Sequence, residues 1–169
     1  MKYIDGYKYK VIVDTREKKS SVISYLERHK IPYTLEKLDV GDYSLYLEDD
    51  NGEMINCGDI FALERKATLD ELIQNVARKE YKRRFINELQ YAKNKGVQLE
   101  LFIEDESWYS KVVAGNYFSQ TPKRAIRGYL AYFQQTYNFS IIGINKKDSG
   151  AYVIDRLIYF AKDYISKRE

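Results

Sequence analysis

Residues 62–73 read ALERKATLDELI. The opening of this stretch closes an apolar run that begins at Ile60, so IFALERK (60–66) predicts a strand. The remainder opens an amphipathic helix. Thr68 and Glu71 form a capping box, in which the hydroxyl and the carboxylate each satisfy a backbone donor left open in the first helical turn. The helix then buries Leu69, Leu72, Ile73, Val76 and Ala77, at spacings of three and four. Glu64 and Lys66 are two apart on the strand, so their side chains leave the same face with roots about 7 Å apart. Strand ends and the loops after them are where sites are usually built.

Upstream, YKVIVD (9–14) reads as a buried strand ending in an acid. A charged loop follows, from Thr15 to Lys19. Ser20 or Ser21 caps a helix with Val22, Tyr25 and Leu26 on one face, which Lys30 and Pro32 stop. YTLEKL (33–38) alternates as a strand. Gly41-Asp42 makes a turn into YSLYLE (43–48), and Asp49-Asp50-Asn51-Gly52 predicts a hairpin into a strand at 53–57. Downstream, a helix over 81–95 carries Phe85, Leu89 and Ala92, with Gly96 closing it. VQLELFIE (97–104) is a strand, 105–119 reads as a loop with a weak helical pattern, and Thr121 caps a helix that starts at Pro122 and reaches about Tyr137. FSIIGI (139–144) and a helix over 148–166 complete the chain. Strands that precede and alternate with helices predict an α/β domain.

The whole chain of 169 residues reads as one domain, with no repeat and no Pro/Gly-rich linker. Its hydrophobic content of 44% and charged content of 31% are globular. The lone Cys57 rules out an internal disulfide framework and any multi-Cys zinc site. No apolar run approaches a membrane span. The start, MKYIDGYKYK, lacks the apolar stretch of a signal peptide, so a cytoplasmic protein is the expectation. The 17 tyrosines are read as compositional bias rather than a base-stacking surface. His29, on an amphipathic helix, is expected to pack rather than to bind a metal.

Asp14 ends the first strand, Asp42 begins one after a glycine, and Glu64 ends another. Two carboxylates plus a backbone carbonyl suit a hard cation, Mg2+ or Mn2+. A lysine beside them can orient a water or offset charge on a phosphate. These are the parts of metal-assisted phosphodiester hydrolysis. The order Asp42 … Glu64-x-Lys66 fits the PD-(D/E)xK nuclease pattern, which as a bare pattern also arises by chance. A solvated strand end and a helix-terminal Asp70 remain the plain alternative.

Three linked strings go further. VIVDTREK (11–18), LDVGDYSL (38–45) and ALERKATLDELI together resemble the nuclease domain of the XPF family of structure-specific endonucleases. That family carries a V-D-x-R-E segment, a G-D pair and E-R-K-x-x-x-D, and all three occur here in order. The resemblance covers residues 10–105 well and is one of layout beyond. It implies a PD-(D/E)xK restriction-endonuclease-like core, a central mixed sheet flanked by helices, and metal-dependent cleavage of branched DNA (3′-flap, fork or junction), leaving 5′-phosphate and 3′-hydroxyl ends. Asp14 and Glu17 match the acids of the first motif, Asp42 and Glu64 the metal-binding acids, and Lys66 the catalytic lysine. Asp14, Asp42, Glu64 and the Arg65 carbonyl are the implied metal ligands. Arg16, Arg65 and Asp70 match supporting positions. Arg65 either contacts phosphate or pairs structurally, and Asp70 either orients Lys66 or finishes the cap. The tandem helix-hairpin-helix and helicase domains of many members find no room here, which leaves substrate choice and assembly open. A stand-alone version resembles small bacterial and phage nuclease-domain proteins.

Residues 78–95 hold seven Lys and Arg against two Glu, a local +5 beside +3 for the chain. Arg78, Lys79, Lys82, Arg83 and Arg84 are therefore candidate phosphate contacts, against the alternative of a solvated helix face. Lys123, Arg124 and Arg127 form a second basic group, either a further DNA contact or an ordinary helix face. Trp108 with Tyr109 either stacks on a base or packs its loop. The apolar C-terminal helices suggest a homodimer. The rival functions are a non-catalytic branched-DNA-binding subunit and a Holliday-junction resolvase with the same core.

Overall fold

The computed structural model describes residues 2–168 and divides into two compact units, residues 2–64 with 147–168, and residues 65–146.

In the first unit, β1 (Tyr3–Ile4) and β2 (Tyr7–Val13) are antiparallel. The turn joining them, Asp5-Gly6, has positive φ at both residues, 45° and 88°, the conformation that an Asp-Gly hairpin favours. β2 runs parallel to β3 (Tyr33–Leu35) and antiparallel to β4 (Tyr43–Glu48). β4 pairs antiparallel with β5 (Met54–Asn56) and with β6 (Phe61–Lys66), which carries the chain out of this unit. The sheet is therefore mixed. The expected hairpin after β4 forms, with the Asp49 carboxylate accepting the N–H groups of Asn51 and Glu53 at 2.9 and 2.8 Å.

Two helices serve this sheet. α1 (Ser21–Arg28) starts at Ser20, whose hydroxyl accepts the Ile23 N–H at 3.3 Å. α6 (Ser149–Ser166) packs on α1 and β4. Gly150 lets the two helices meet, since a Cβ there would lie 2.1 Å from the Tyr25 Cβ. The core between them is apolar: Val22, Leu26, Val153 and Leu157 face sheet residues Val11, Val13, Leu45 and Leu63, all fully buried. Phe61 stacks on Phe160 at 5.1 Å between ring centres.

The strand expected at 33–38 stops at Leu35. The Glu36 N–H still bonds the Val13 carbonyl, but the Leu38 N–H turns to the Asp14 carboxylate, so a side chain takes the chain off the ladder. His29 caps the end of α1 and lies against the Tyr25 ring at 4.2 Å, as a packing residue, although it is exposed.

In the second unit, β7 (Gln98–Ile103) pairs in parallel with β8 (Ile141–Gly143). α2 (Leu69–Ala77) is capped as expected: the Glu71 N–H donates to the Thr68 hydroxyl at 3.2 Å, and the Glu71 carboxylate accepts the Ala67 N–H at 2.9 Å. Arg78 is extended and breaks the helical run, so α3 (Lys79–Lys95) begins two residues before the expected start. α4 (Trp108–Ala114) lies within the segment read as a loop with a weak helical pattern, a short helix without a side-chain cap. Trp108 is buried and Tyr109 exposed, so this pair divides, with Trp108 packing its segment. α5 (Lys123–Tyr137) is capped at Pro122, not Thr121. Thr121 is used instead within the loop, its carbonyl accepting the Tyr117 hydroxyl at 2.9 Å. Phe85 of α3 stacks on Phe133 of α5 at 5.8 Å and meets Phe139 edge-on at 6.2 Å. Such a buried aromatic contributes about 1.5–3 kcal/mol over leaving it in water. Among the described residues no helix is long and apolar enough to cross a membrane.

Candidate active site

The ladder places Val13 opposite Tyr43 and Tyr43 opposite Leu63. The next residue outward along each chain is an acid: Asp14, Asp42 and Glu64. Asp42 ties them together through its backbone. Its N–H donates to the Leu63 carbonyl at 2.7 Å, and its carbonyl accepts the Asp14 N–H at 2.8 Å. Gly41 makes this approach possible. Its φ is +75°, and a Cβ there would stand 2.8 Å from the Ala62 Cβ and 2.9 Å from the Leu63 carbonyl oxygen. The G-D pair is thus a close-packed corner that delivers Asp42 to the end of β6.

Asp14 is fully buried. Its Oδ1 accepts the Arg16 N–H at 2.9 Å and Nε–H at 2.6 Å, and its Oδ2 accepts the Leu38 N–H at 2.8 Å and the second Arg16 group at 3.3 Å. Burial pushes its pKa up, but these donors outweigh burial and hold the carboxyl below its ordinary value. Glu17 accepts the Tyr43 hydroxyl at 2.7 Å. That hydroxyl also lies 3.0 Å from the Ser20 oxygen; with its proton given to Glu17, Ser20 is the donor. Tyr43 shares a sheet face with Val13 and Leu63, so it braces Glu17 on the side opposite to Glu64.

Glu64 and Lys66 leave β6 on one face, at 7% and 6% exposure. Charged side chains this buried are uncommon and cost free energy unless the surroundings compensate. Further along, Lys66 has its ammonium 5.3 Å from the centre of the Phe85 ring. Its carbonyl accepts the Glu104 N–H at 3.0 Å. Arg65 pairs with the buried Glu104 at 3.2 Å, the structural pairing of the two roles open to it. Asp70 lies in the first turn of α2, and its Oδ1 accepts the Phe118 N–H at 2.9 Å and so holds the loop before α5. Tyr43, Glu104 and Phe118 were not singled out in the sequence. Of these, Glu104 had a signal, being an acid at a strand end like Asp14.

Arg78, Lys79, Arg83 and Arg84 are exposed around the start of α3. Lys82 is half-buried, its ammonium 4.5 Å over the Tyr129 ring.

Among the described residues no group of three or more His, Cys, Asp and Glu side chains is drawn together to hold a metal. Asp42 and Glu64 stand at neighbouring strand ends, joined through the Asp42 N–H and the Leu63 carbonyl. An all-oxygen set with two carboxylates fits Mg2+, which usually keeps several waters and takes its other ligands from substrate phosphates.

A mixed sheet flanked by helices, with acids at adjoining strand ends, defines the restriction-endonuclease-like fold of the XPF nuclease domain. The chain belongs to the ERCC4 domain family, whose model matches residues 13–157, a family of structure-specific DNA endonucleases. XPF from Aeropyrum pernix superposes with a TM-score of 0.58 at 20% identity, over 90% of this chain and 61% of that one. The same protein in a structure with DNA gives 0.57 at 18% identity, over 92% and 66%. The chain thus spans less than two thirds of these two solved chains. No curated protein sequence matches it.

Proposed function

We propose that the chain hydrolyses phosphodiester bonds in branched DNA, with Mg2+ or Mn2+ as cofactor. The observation that carries this reading is the Asp42 backbone, bonded to Asp14 on one side and to Leu63, beside Glu64, on the other. A divalent cation held by Asp42, Glu64 and the Arg65 carbonyl would supply Lewis acidity and neutralise phosphate charge. Lys66 is the second cation. Screened from water, its ammonium offsets charge building on the phosphoryl oxygens more strongly than an exposed lysine would. Both Asp14 oxygens already accept hydrogen bonds, so Asp14 enters as a positioning residue that holds the 15–19 loop. Glu17, carried by that loop, is oriented by Tyr43 on the other side of the sheet from Glu64, and it too enters as a positioning residue of the loop. Arg78, Lys79, Lys82, Arg83 and Arg84 contact the phosphate backbone.

The test is cleavage of labelled 3′-flap, fork, four-way-junction and plain duplex DNA in Mg2+, Mn2+ or EDTA, beside Asp42→Asn and Lys66→Ala. Metal-dependent nicking near the branch is expected, reduced about 100-fold or more in either variant. Binding without cleavage in every metal overturns the enzyme and leaves a DNA-binding subunit. Cleavage confined to the four-way junction makes it a resolvase.

A further inference from the structure

Phe118 is 89% exposed, the most exposed large apolar side chain among the described residues. A single exposed ring is ordinary on a surface. This one is set on a fixed backbone. Its N–H is held by Asp70, and the residues after it are tied down by the Ser119 hydroxyl donating to the Thr121 hydroxyl at 3.1 Å and accepting the Thr121 N–H at 3.2 Å. The loop thus presents the ring to water at no further cost in backbone order.

Beside the ring lies a cavity of about 500 Å³ that includes Phe118 in its lining. Sites for small organic groups usually span about 300–1,000 Å³. Ile73 and Ala77 of α2 give this one apolar wall. Gln74 and Gln120 bring amides, which both donate and accept. Arg78 brings a guanidinium, and it is the first residue of the basic run that continues through Lys79, Lys82, Arg83 and Arg84. The one acid in the lining, Asp70, has an oxygen engaged by the Phe118 N–H.

We propose that this cavity takes an unpaired nucleobase, stacked on Phe118 and met at its edge by Gln74 and Gln120, with Arg78 on the adjoining phosphate. A free aromatic face, two amides and a cation match a base, its hydrogen-bonding edge and its phosphate in turn. A base inside a duplex is already stacked on both faces and cannot enter. The site therefore selects DNA that carries a single-stranded arm. This inference rests on the DNA reading above and adds to it the feature of the branch that is recognised.

The test compares wild type with Phe118→Ala, a change at an exposed position that leaves the fold intact. Affinity is measured by anisotropy for a duplex with a single-stranded 3′ arm and for the blunt duplex of the same sequence. A 2-aminopurine in the arm reports stacking. The expected result is a loss of about tenfold for the armed DNA, none for the blunt duplex, and 2-aminopurine quenching that Phe118→Ala abolishes and Phe118→Tyr restores. Unchanged affinity for the armed DNA, or equal losses on both, overturns the base site while leaving the nuclease reading intact. Wild type that binds neither DNA overturns both.

Discussion

Asp14 is wholly buried, yet its carboxylate accepts the Nε–H of Arg16 at 2.6 Å while the Arg16 side chain stays 64% exposed. The acid is the anchor and the arginine is the arm. The same carboxylate also holds the Leu38 N–H, so one side chain fastens the loop before α1 and the segment after β3.

Asp14→Asn keeps the shape but loses the charge. Charge-assisted hydrogen bonds contribute about 1.5–3 kcal/mol, and the variant should lose about that much stability at pH 7. The folded protein holds the carboxyl below its ordinary value of 3.8, so on acidification the unfolded chain takes up the proton first. The contribution is complete above that value and disappears as the pH falls through the lower folded-state value. Urea unfolding of both proteins between pH 7 and pH 2 should show their difference shrinking in that window. A difference that is independent of pH would remove the ionised Asp14 from the account.

Gly41→Ala should damage the site through the backbone. The left-handed φ costs a residue with a Cβ about 1–2 kcal/mol. The new atom would also stand 2.9 Å from the Leu63 carbonyl oxygen, which is backbone and cannot swing away. A loss of at least about 2 kcal/mol is expected in thermal unfolding. Cleavage by the folded fraction should fall about tenfold or more, because Asp42 is displaced from Glu64. Full activity with unchanged stability would show that the corner tolerates a side chain.

Arg83→Ala with Arg84→Ala removes two exposed cations from α3. Each phosphate that a side chain no longer neutralises lowers the slope of log K against log salt by about 0.9. The double variant should bind DNA more weakly at low salt, with a slope shallower by up to about 2. Identical slopes would make this a solvated helix face.

We also propose a homodimer through the C-terminal helices. Tyr129 and Tyr132 of α5 and Tyr159 of α6 are exposed at 36%, 60% and 65%. Light scattering at high micromolar concentration should give twice the chain mass of 20.0 kDa, and Tyr159→Glu should halve it. A monomer mass for wild type at that concentration refutes the dimer.

Most elements were legible because their signals are local. The capping box at Thr68 and Glu71, the hairpin at 49–52 and the apolar spacing of α2 need only neighbouring residues, and each forms as read. One miss depends on a partner far along the chain. β3 ends early because Leu38 bonds the carboxylate of Asp14, 24 residues away. α4 has too few turns to show a period and no cap.

Sequence alone was enough for the alternation of strands and helices, the family, and the identity of the charged residues, since all three motifs are short strings with their own spacing. What each charge does depends on the tertiary structure. Strand register brings the ends of β2, β4 and β6 together and joins Asp42 to both neighbours. Burial turns Asp14 into an anchor. The pairing of Arg65 with Glu104 and of Asp70 with Phe118 spans 39 and 48 residues. No local pattern encodes such contacts, because hydrogen bonds at that range exist only once the intervening chain has packed.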